Sequence, residues 1–172
     1  MLLLISDANI LMDVEVGDLV APMFSLGYDF AVPNVLYYEE LEDQHAHLLH
    51  MGLQVRTLTD KGVGRVQSPS QTYPRPGRND LFALALAEAE QCPLLTGDAA
   101  LRSAAESENV VVRGTVWLIS EMVRQKRLTA TVARASLHRM RVNGRRLPWD
   151  VAEKVLNELE TPQPKTEVPP VC

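Results

Sequence analysis

Cysteine is scarce in this sequence, and the two that occur, Cys92 and Cys172, lie far apart. They fit neither the close spacing of zinc-binding cysteines nor the cysteine framework of a disulfide-rich secreted protein. We therefore expect neither a structural zinc nor disulfide bonds to hold this fold together. The expected environment is a reducing cytoplasm.

Long apolar runs are also missing. The apolar stretch Met1–Ile5 is very short, has no basic region before it and meets Ser6 and Asp7 at once. It predicts a strand and not a signal peptide. No run approaches the length of a membrane span, so no membrane association is expected.

A basic excess is missing as well. The 172 residues include 22 acids and 17 bases, which gives a formal net charge of −5. Proteins that coat nucleic acid regardless of sequence carry a large basic excess, so this chain falls outside that class. An enzyme that meets nucleic acid through a bound cation is compatible with this charge.

What the sequence does have is an alternation of short apolar strands with helices. This order predicts a three-layer α/β/α fold with a five-stranded parallel sheet and right-handed crossovers. One predicted helix begins at Asn79 or Asp80 and is apolar on every side, so it should be buried all round. Another opens after Pro33 and runs unbroken to Gly52. The predicted strands cover residues 2–6, 29–32, 53–58, 94–96 and 110–112.

Only helices follow Thr115, and this sets the predicted domain organisation. The α/β domain is expected over residues 1–128, with a helical extension over 129–160 packed on it or on a partner subunit. The proline-rich residues 161–172 are expected to form a flexible tail. Because the extension offers surplus apolar surface, a homodimer is expected.

Three acids fall at matching places in the predicted fold. Asp7 leaves the first strand, Asp80 begins the buried helix and Asp98 leaves the fourth strand. Functional groups of an open α/β sheet collect beyond the carboxyl ends of its strands, so these carboxylates are expected to meet there. Asp80 alone also fits a helix cap, and Asp98 alone a turn residue. Asp7 is the strongest candidate, because a carboxylate directly after a buried strand has few structural reasons to be there.

The helix after Pro33 supplies a fourth acid, Glu39 or Glu40. Val35 and Glu39 are four residues apart and share a helix face, whereas Glu40 shares a face with Leu36. Since Val35 is expected to face the core, Glu39 is favoured and Glu40 is the alternative.

Clustered carboxylates repel one another, and one of them would hold a proton unless a cation relieved the repulsion. Oxygen ligands select a hard ion, Mg²⁺ or Mn²⁺. Such an ion polarises a phosphoryl oxygen and generates hydroxide from bound water. Acids with a divalent ion and no nucleophilic side chain point to hydrolysis of a phosphodiester.

Four segments of the chain, by their order and spacing, resemble the motifs of PIN-domain ribonucleases, including the VapC-type toxins of bacterial toxin–antitoxin pairs. The resemblance covers residues 2–123. It implies a five-stranded parallel sheet whose acidic pocket binds Mg²⁺ or Mn²⁺ and cuts RNA. For a toxin, it also implies an antitoxin partner that masks the pocket. The four segments are ISDANIL, VPNVLYYEEL, NDLFALALA and LLTGDAAL.

The resemblance also implies roles for individual residues. Asp7 and Asp98 would be the principal metal ligands, with Asp80 binding directly or through water. Glu39 would orient or deprotonate the attacking water, and cleavage would leave a 5′-phosphate and a 3′-hydroxyl. Asn9 and Thr96 match positions at which the family carries small polar residues that support the pocket.

Arginines are the candidate contacts for RNA phosphates. Arg75 and Arg78 shortly precede Asp80, which makes them the better candidates. The densest basic cluster surrounds Gly144, where a solvated helix end and an RNA contact are equally compatible with the sequence. This cluster consists of Arg139, Arg141, Arg145 and Arg146.

Two other functions fit part of the pattern. A phosphotransferase of the aspartyl-phosphate kind would need an acid two residues after Asp7, where Asn9 stands, and a well-placed lysine. A binding module would have kept this fold and lost cleavage, although the acids that cleavage needs are present. Metal-dependent RNA cleavage that is lost in an Asp7→Asn variant separates the enzyme from the binding module.

Overall fold

A computed structural model describes residues 1–64, 66, 73 and 75–161 of the chain. Within these residues, five strands form one parallel sheet in the order β3–β2–β1–β4–β5. This confirms the predicted parallel sheet, although several strands begin or end one to three residues from their expected bounds. The strands are β1 (Leu2–Ser6), β2 (Tyr28–Pro33), β3 (Gln54–Arg56), β4 (Leu94–Leu95) and β5 (Val112–Arg113).

Helices form the two outer layers of the fold. On one side α3, α6 and α7 form a contacting row, and on the other α1, α2, α8 and α9 pack together. No helix among the described residues is both long and apolar enough to cross a membrane. The helices are α1 (Ala8–Val16), α2 (Val20–Phe24), α3 (Asn34–Leu36), α4 (Glu42–His45), α5 (His47–Met51), α6 (Arg78–Ala89), α7 (Ala99–Ser107), α8 (Thr115–Arg124), α9 (Ala130–Val142) and α10 (Trp149–Glu160).

The core is centred on β1 and on α6, which packs against it. Leu4 and Ile5 of β1 are fully buried because strands flank them on both sides, with Leu4 opposite Phe30 and Ile5 opposite Leu94. Every residue of α6 from 81 to 87 is buried, which confirms the expectation of a helix covered all round. The parallel arrangement places the carboxyl ends of β1 and β4 side by side, where the acids were expected.

The helix predicted to run unbroken from Pro33 to Gly52 is interrupted. After α3, residues Tyr37–Leu41 form a π-helical turn, and two short helices follow it. The N–H of Glu42 donates to the carbonyl of Tyr37, five residues earlier instead of four. A π-turn therefore inserts one extra residue into the helix, and it changes which side chains share a face.

The C-terminal helices pack on the α/β layers of the same chain. Helix α9 contacts α1 and α8, and α10 contacts α8 and α9. A Cβ at Gly17 would lie 2.4 Å from Cε of Met140, so the glycine permits the close approach of α9 to the end of α1. Arg134 of α9 donates to Asn157 at 2.7 Å and to Glu160 at 2.8 Å, both on α10. The division into a domain and an extension at residue 128 stays a prediction.

The predicted flexible tail lies almost entirely beyond the described residues. The tail was predicted over 161–172, of which residues 162–172 lie outside the described residues.

Cys92 is a buried free thiol, and burial raises its pKa to about 11. Its thiol is therefore protonated at neutral pH, as expected of a structural cysteine. Cys172 lies outside the described residues.

Candidate active site at the carboxyl edge of the sheet

Asp7 follows β1 and is fully buried. Its Oδ1 accepts the N–H of Ile10 at 2.9 Å, so it is the N-cap of α1, and its Oδ2 accepts the hydroxyl of Thr96 at 2.5 Å. Burial raises the pKa of Asp7 to about 6, although these two hydrogen bonds lower it. The charges of Asp80 and Asp13 raise it further. The expectation that Asp7 lacks a structural reason for its place is wrong, because it caps a helix.

Thr96 follows β4 and connects two of the acids. The fully buried hydroxyl donates to Asp7 and accepts the backbone N–H of Asp98 at 3.0 Å. One side chain therefore fixes both the carboxylate at the end of β1 and the backbone beyond β4. This position agrees with the supporting role that the sequence motif implied for Thr96.

Asp98 and Asp80 both accept backbone N–H groups at the start of a helix. Asp98 is the N-cap of α7, where its Oδ1 accepts the N–H of Leu101 at 2.7 Å, and the residue is exposed. Asp80 is the third residue of α6, and its Oδ2 accepts the N–H of Gly77 at 3.2 Å. The start of α6 is therefore Arg78, and Gly77 occupies the N-cap position that Asn79 or Asp80 was expected to hold.

The three aspartates are coupled electrostatically through Asp80. Burial is the main reason that the pKa of Asp80 is raised, and the charge of Asp98 raises it further, while the hydrogen bond from Gly77 lowers it. The charge of Asp80 in turn raises the pKa of Asp7. The structure thus brings Asp7, Asp80 and Asp98 to one edge of the sheet, as a row of like charges with Asp80 in the middle.

The two glutamates of the π-turn face different neighbours. Glu39 accepts the side-chain amide of Asn79 at 2.9 Å and pairs with Arg78 at 3.5 Å. Burial raises the pKa of Glu40, and the charges of Asp80 and Glu39 raise it further, against a hydrogen bond from Asn79. The five-residue hydrogen bond of the π-turn interrupts the regular helix repeat on which the choice of Glu39 over Glu40 was based. The contacts of the two glutamates, and not a shared face with Val35, therefore distinguish them.

Asn79, the second residue of α6, donates its side-chain amide to Glu39. Within the described residues, its Oδ1 is buried and has no hydrogen-bond partner. A buried acceptor without a donor carries a desolvation cost. This unsatisfied acceptor belongs to the residue next to Asp80, where the acidic row meets the π-turn.

The donors at this edge fit a hard divalent cation in their chemistry. They are carboxylate oxygens, each already oriented by a backbone N–H, and their repulsion is relieved by positive charge. Among residues 1–64, 66, 73 and 75–161, however, no group of three or more His, Cys, Asp or Glu side chains is gathered closely enough to hold a metal ion. The acids therefore stand in a row and are not drawn together around one point.

The other residues that the sequence singled out lie at different distances from this row. Asn9 is exposed and lines a cavity of about 330 Å³ together with Asp98. Arg78 lies over the ring of Phe82, at 5.2 Å from its centroid, besides pairing with Glu39. Arg75 is exposed and forms no hydrogen bond or ion pair with another described residue.

Sequence reasoning missed Asp13. This buried carboxylate accepts the hydroxyl of Thr115 at 2.7 Å through Oδ2 and the Nε–H of Arg145 at 2.5 Å through Oδ1. Arg145 also donates to the backbone carbonyl of Asn9 at 3.2 Å. One signal was available in the sequence, because Asn9 and Asp13 are polar residues four apart on the mostly apolar first helix.

Two solved structures are similar to this chain. A PilT N-terminus domain protein from the hyperthermophilic archaeon Sulfolobus solfataricus is 14% identical, covers 72% of this chain and 94% of its own, and has a TM-score of 0.48. The VapBC2 complex of Rickettsia felis, solved with a DNA fragment from its promoter, is 14% identical over 66% of this chain and 98% of its own, with a TM-score of 0.46. No curated protein matches the sequence.

A family model described as PIN domain matches residues 3–161. The match extends over the sheet, over the acidic row at its carboxyl edge and over both C-terminal helices. It includes the four segments in which the resemblance was first found. The chain therefore belongs to the PIN domain family.

Proposed function

We propose that the protein is a Mg²⁺- or Mn²⁺-dependent endoribonuclease that hydrolyses RNA phosphodiester bonds at the acidic row. The observation that carries this proposal is that Asp7, Asp80 and Asp98, from three separate segments, meet at the carboxyl edge of the sheet, where their charges also raise the pKa values of Asp7 and Asp80. Carboxylates that are both desolvated and mutually repelling are costly to a fold, and perturbed acids of this kind concentrate at functional sites. Membership of the PIN family, whose members are generally nucleases, supports the same conclusion.

In this proposal the aspartates hold the ion and the protein fixes their positions. Asp7 is held by Ile10 and Thr96, so its remaining lone pairs are presented without a further loss of side-chain freedom. Asp80 and Asp98 each keep one carboxylate oxygen that no N–H of a described residue occupies. A bound Mg²⁺ or Mn²⁺ ion would supply hydroxide from water and polarise the phosphodiester.

A glutamate of the π-turn is proposed to orient the attacking water or to take its proton. Glu39 was favoured from the sequence, and its contacts with Arg78 and Asn79 restrain it at the rim. Glu40 is supported by its coupling to Asp80 and by a raised pKa, which suits a group that accepts a proton. Products with a 5′-phosphate and a 3′-hydroxyl follow when water attacks phosphorus, the bond from phosphorus to the 3′ oxygen breaks and that oxygen leaves with a proton.

We further propose that the protein is the toxin of a toxin–antitoxin pair, acting in the cytoplasm. Its motifs resemble those of VapC-type toxins, and an antitoxin would act by masking the acidic row. A homodimer is proposed because several large apolar side chains remain exposed, among them Val132 and Val142 of α9 and Val151 of α10.

Cleavage of a mixture of structured and single-stranded RNAs tests the proposal. The intact protein with Mn²⁺ is expected to cut the RNA, and EDTA is expected to abolish cutting. The variants Asp7→Asn and Asp98→Asn are expected to lose at least about 100-fold in rate, because each removes a charged ligand. Asp29→Asn is the matched control, since Asp29 lies near the amino end of β2, at the opposite edge of the sheet.

A binding module without catalysis is the second candidate. Two observations favour it. Each aspartate of the row already accepts a backbone N–H at the start of a helix. In addition, no group of three or more described acids is gathered around a metal position. RNA binding with no cleavage in Mn²⁺ or Mg²⁺ would select this candidate. A second measurement is metal binding itself, read as a rise in melting temperature with Mn²⁺ that Asp98→Asn removes.

A further inference from the structure

The loop between α9 and α10 lies beside the acidic row. Gly144, Arg145 and Arg146 of this loop line the cavity of about 330 Å³ whose opposite wall includes Asn9 and Asp98. The C-terminal helices therefore bring two cations to the carboxyl edge of the sheet, next to a proposed metal ligand. This placement was not readable from the sequence, where the loop is 46 positions or more from Asp98.

The two arginines of the loop have different surroundings. Arg145 is committed to Asp13 and to the carbonyl of Asn9, and only 25% of its side chain is exposed. Arg146 is exposed and forms no hydrogen bond or ion pair with any other described residue. Arg145 is therefore neutralised inside the protein, whereas the charge of Arg146 is available to a ligand.

The loop is fixed by contacts with two other elements. Asp13 of α1 holds Arg145 on one side and is itself held by Thr115, the first residue of α8. Gly144 has a φ of +78°, a left-handed conformation that favours glycine and lets the chain turn sharply after α9. Arg146 is thus presented from a backbone that is already ordered, which reduces the entropy lost when it binds a ligand.

The negative charge of the site favours a cation that can bind an RNA phosphate. RNA brings one negative charge per nucleotide to an edge that already carries three aspartates, and the whole chain has a net charge of −5. An arginine fork binds two phosphate oxygens at once, and it keeps its charge at every physiological pH. Of the sequence's other candidates, Arg78 is partly engaged by Glu39 and Phe82.

We propose that Arg146 binds a backbone phosphate of the RNA strand that lies over Asp98, and that Arg145 positions it through Asp13. This inference rests on the proposed function in naming RNA as the ligand. It assigns this phosphate contact to the loop between α9 and α10, and not to Arg78, which Glu39 and Phe82 engage. The helices beyond the sheet then form part of the binding site.

Equilibrium binding of a fluorescent single-stranded RNA tests this assignment without requiring catalysis. The full chain is titrated in EDTA, so that no cleavage occurs, at several salt concentrations. Arg146→Ala is expected to weaken binding about five- to tenfold near ~100 mM salt and to reduce the slope of log K against log salt by about 0.7. Arg146→Lys is expected to recover most of the slope, because it keeps the charge.

Arg127→Ala is the matched control, since Arg127 is an exposed arginine in the turn between α8 and α9 that lines no part of this cavity. It is expected to change affinity less than twofold, with circular dichroism showing that each variant is folded. Equal effects of the two alanine variants, or a chain that binds no RNA, overturn the inference. Binding that depends on Arg146 in a chain that never cleaves RNA would sustain it while refuting the nuclease.

Discussion

Thr96 donates its hydroxyl hydrogen to Oδ2 of Asp7 at 2.5 Å, across 89 positions of sequence, and both residues are fully buried. The same hydroxyl accepts the N–H of Asp98. This residue therefore sets the protonation of one acid and the backbone position of another. A change at Thr96 should alter the site without removing any carboxylate.

Thr96→Val is expected to move the onset of cleavage to higher pH. The hydrogen bond from Thr96 lowers the pKa of Asp7, so its loss raises that pKa beyond about 6 and leaves the acid protonated over a wider range. The free energy of unfolding at pH 8 should fall by about 1.5–3 kcal/mol, the usual loss of a hydrogen bond to a charged group. A pH–rate profile and urea denaturation measure the two effects.

Thr96→Ser is the control for this change, because it keeps the hydroxyl and should keep the pH profile. If cleavage by the Thr96→Val variant begins at the same pH as cleavage by the wild type, Asp7 does not control the reaction.

Asp7→Asn is expected to stabilise the fold at alkaline pH in the absence of metal. The pKa of Asp7 is about 6 in the folded protein against an ordinary 3.8, so the folded state binds this proton more tightly. The stability that Asp7 contributes is present below about pH 4 and is lost as the pH rises through 6. The asparagine variant does not titrate and should be more stable than the wild type at pH 8, by up to about 3 kcal/mol.

Urea denaturation in EDTA from pH 4 to 8 measures this difference, which should shrink towards pH 4. Mn²⁺ should reverse it at pH 8 by binding the folded wild type alone. A variant that is less stable than the wild type at every pH would mean that the two hydrogen bonds of Asp7 outweigh its burial.

Glu40→Gln is expected to reduce the cleavage rate more than Glu39→Gln. Glu40 is coupled to Asp80, whereas Glu39 is restrained by Arg78 and Asn79 at the rim. A loss of about 100-fold is expected for the residue that handles the proton, with a change of less than threefold in the Kd for RNA. The two variants are matched in charge and in position on the π-turn, so each is the control for the other. A larger loss in Glu39→Gln would restore the assignment that the sequence favoured.

Asp13→Ala is expected to destabilise the protein and to weaken RNA binding together. The substitution leaves the largely buried Arg145 without its carboxylate partner, which should cost about 3 kcal/mol in the free energy of unfolding. It also frees the loop that carries Arg146. Chemical denaturation and RNA titration in EDTA measure the two effects. The double variant Asp13→Ala with Arg145→Ala should recover part of the stability but not the RNA affinity.

Much of the fold was predictable because its signals are local. A continuous apolar run predicted β1, and apolar residues on every side predicted that α6 is buried. Alternating strands and helices allow few arrangements other than a parallel sheet with right-handed connections. From that topology alone, Asp7 and Asp98 could be placed at one edge.

The limits of the prediction lie at the fourth acid, at the cations and at Asp13. A four-residue helix repeat pointed to Glu39, but the π-turn at Tyr37–Leu41 interrupts that repeat. Nearness in sequence pointed to Arg75 and Arg78, whereas the loop after α9 brings Arg145 and Arg146 beside Asp98.

The amino-acid order by itself determined the strands, the buried helix and which carboxylates could share an edge, since hydrophobic periodicity and chain topology suffice for these. Only the tertiary structure decided which cations reach that edge and what holds Asp13, because these depend on contacts between Asp13 and Thr115 or Arg145, 102 and 132 positions apart. No local pattern encodes contacts between residues so far apart in sequence. These contacts depend on how closely α9 packs on α1, and Met140 of α9 lies there against Gly17, which has no side chain.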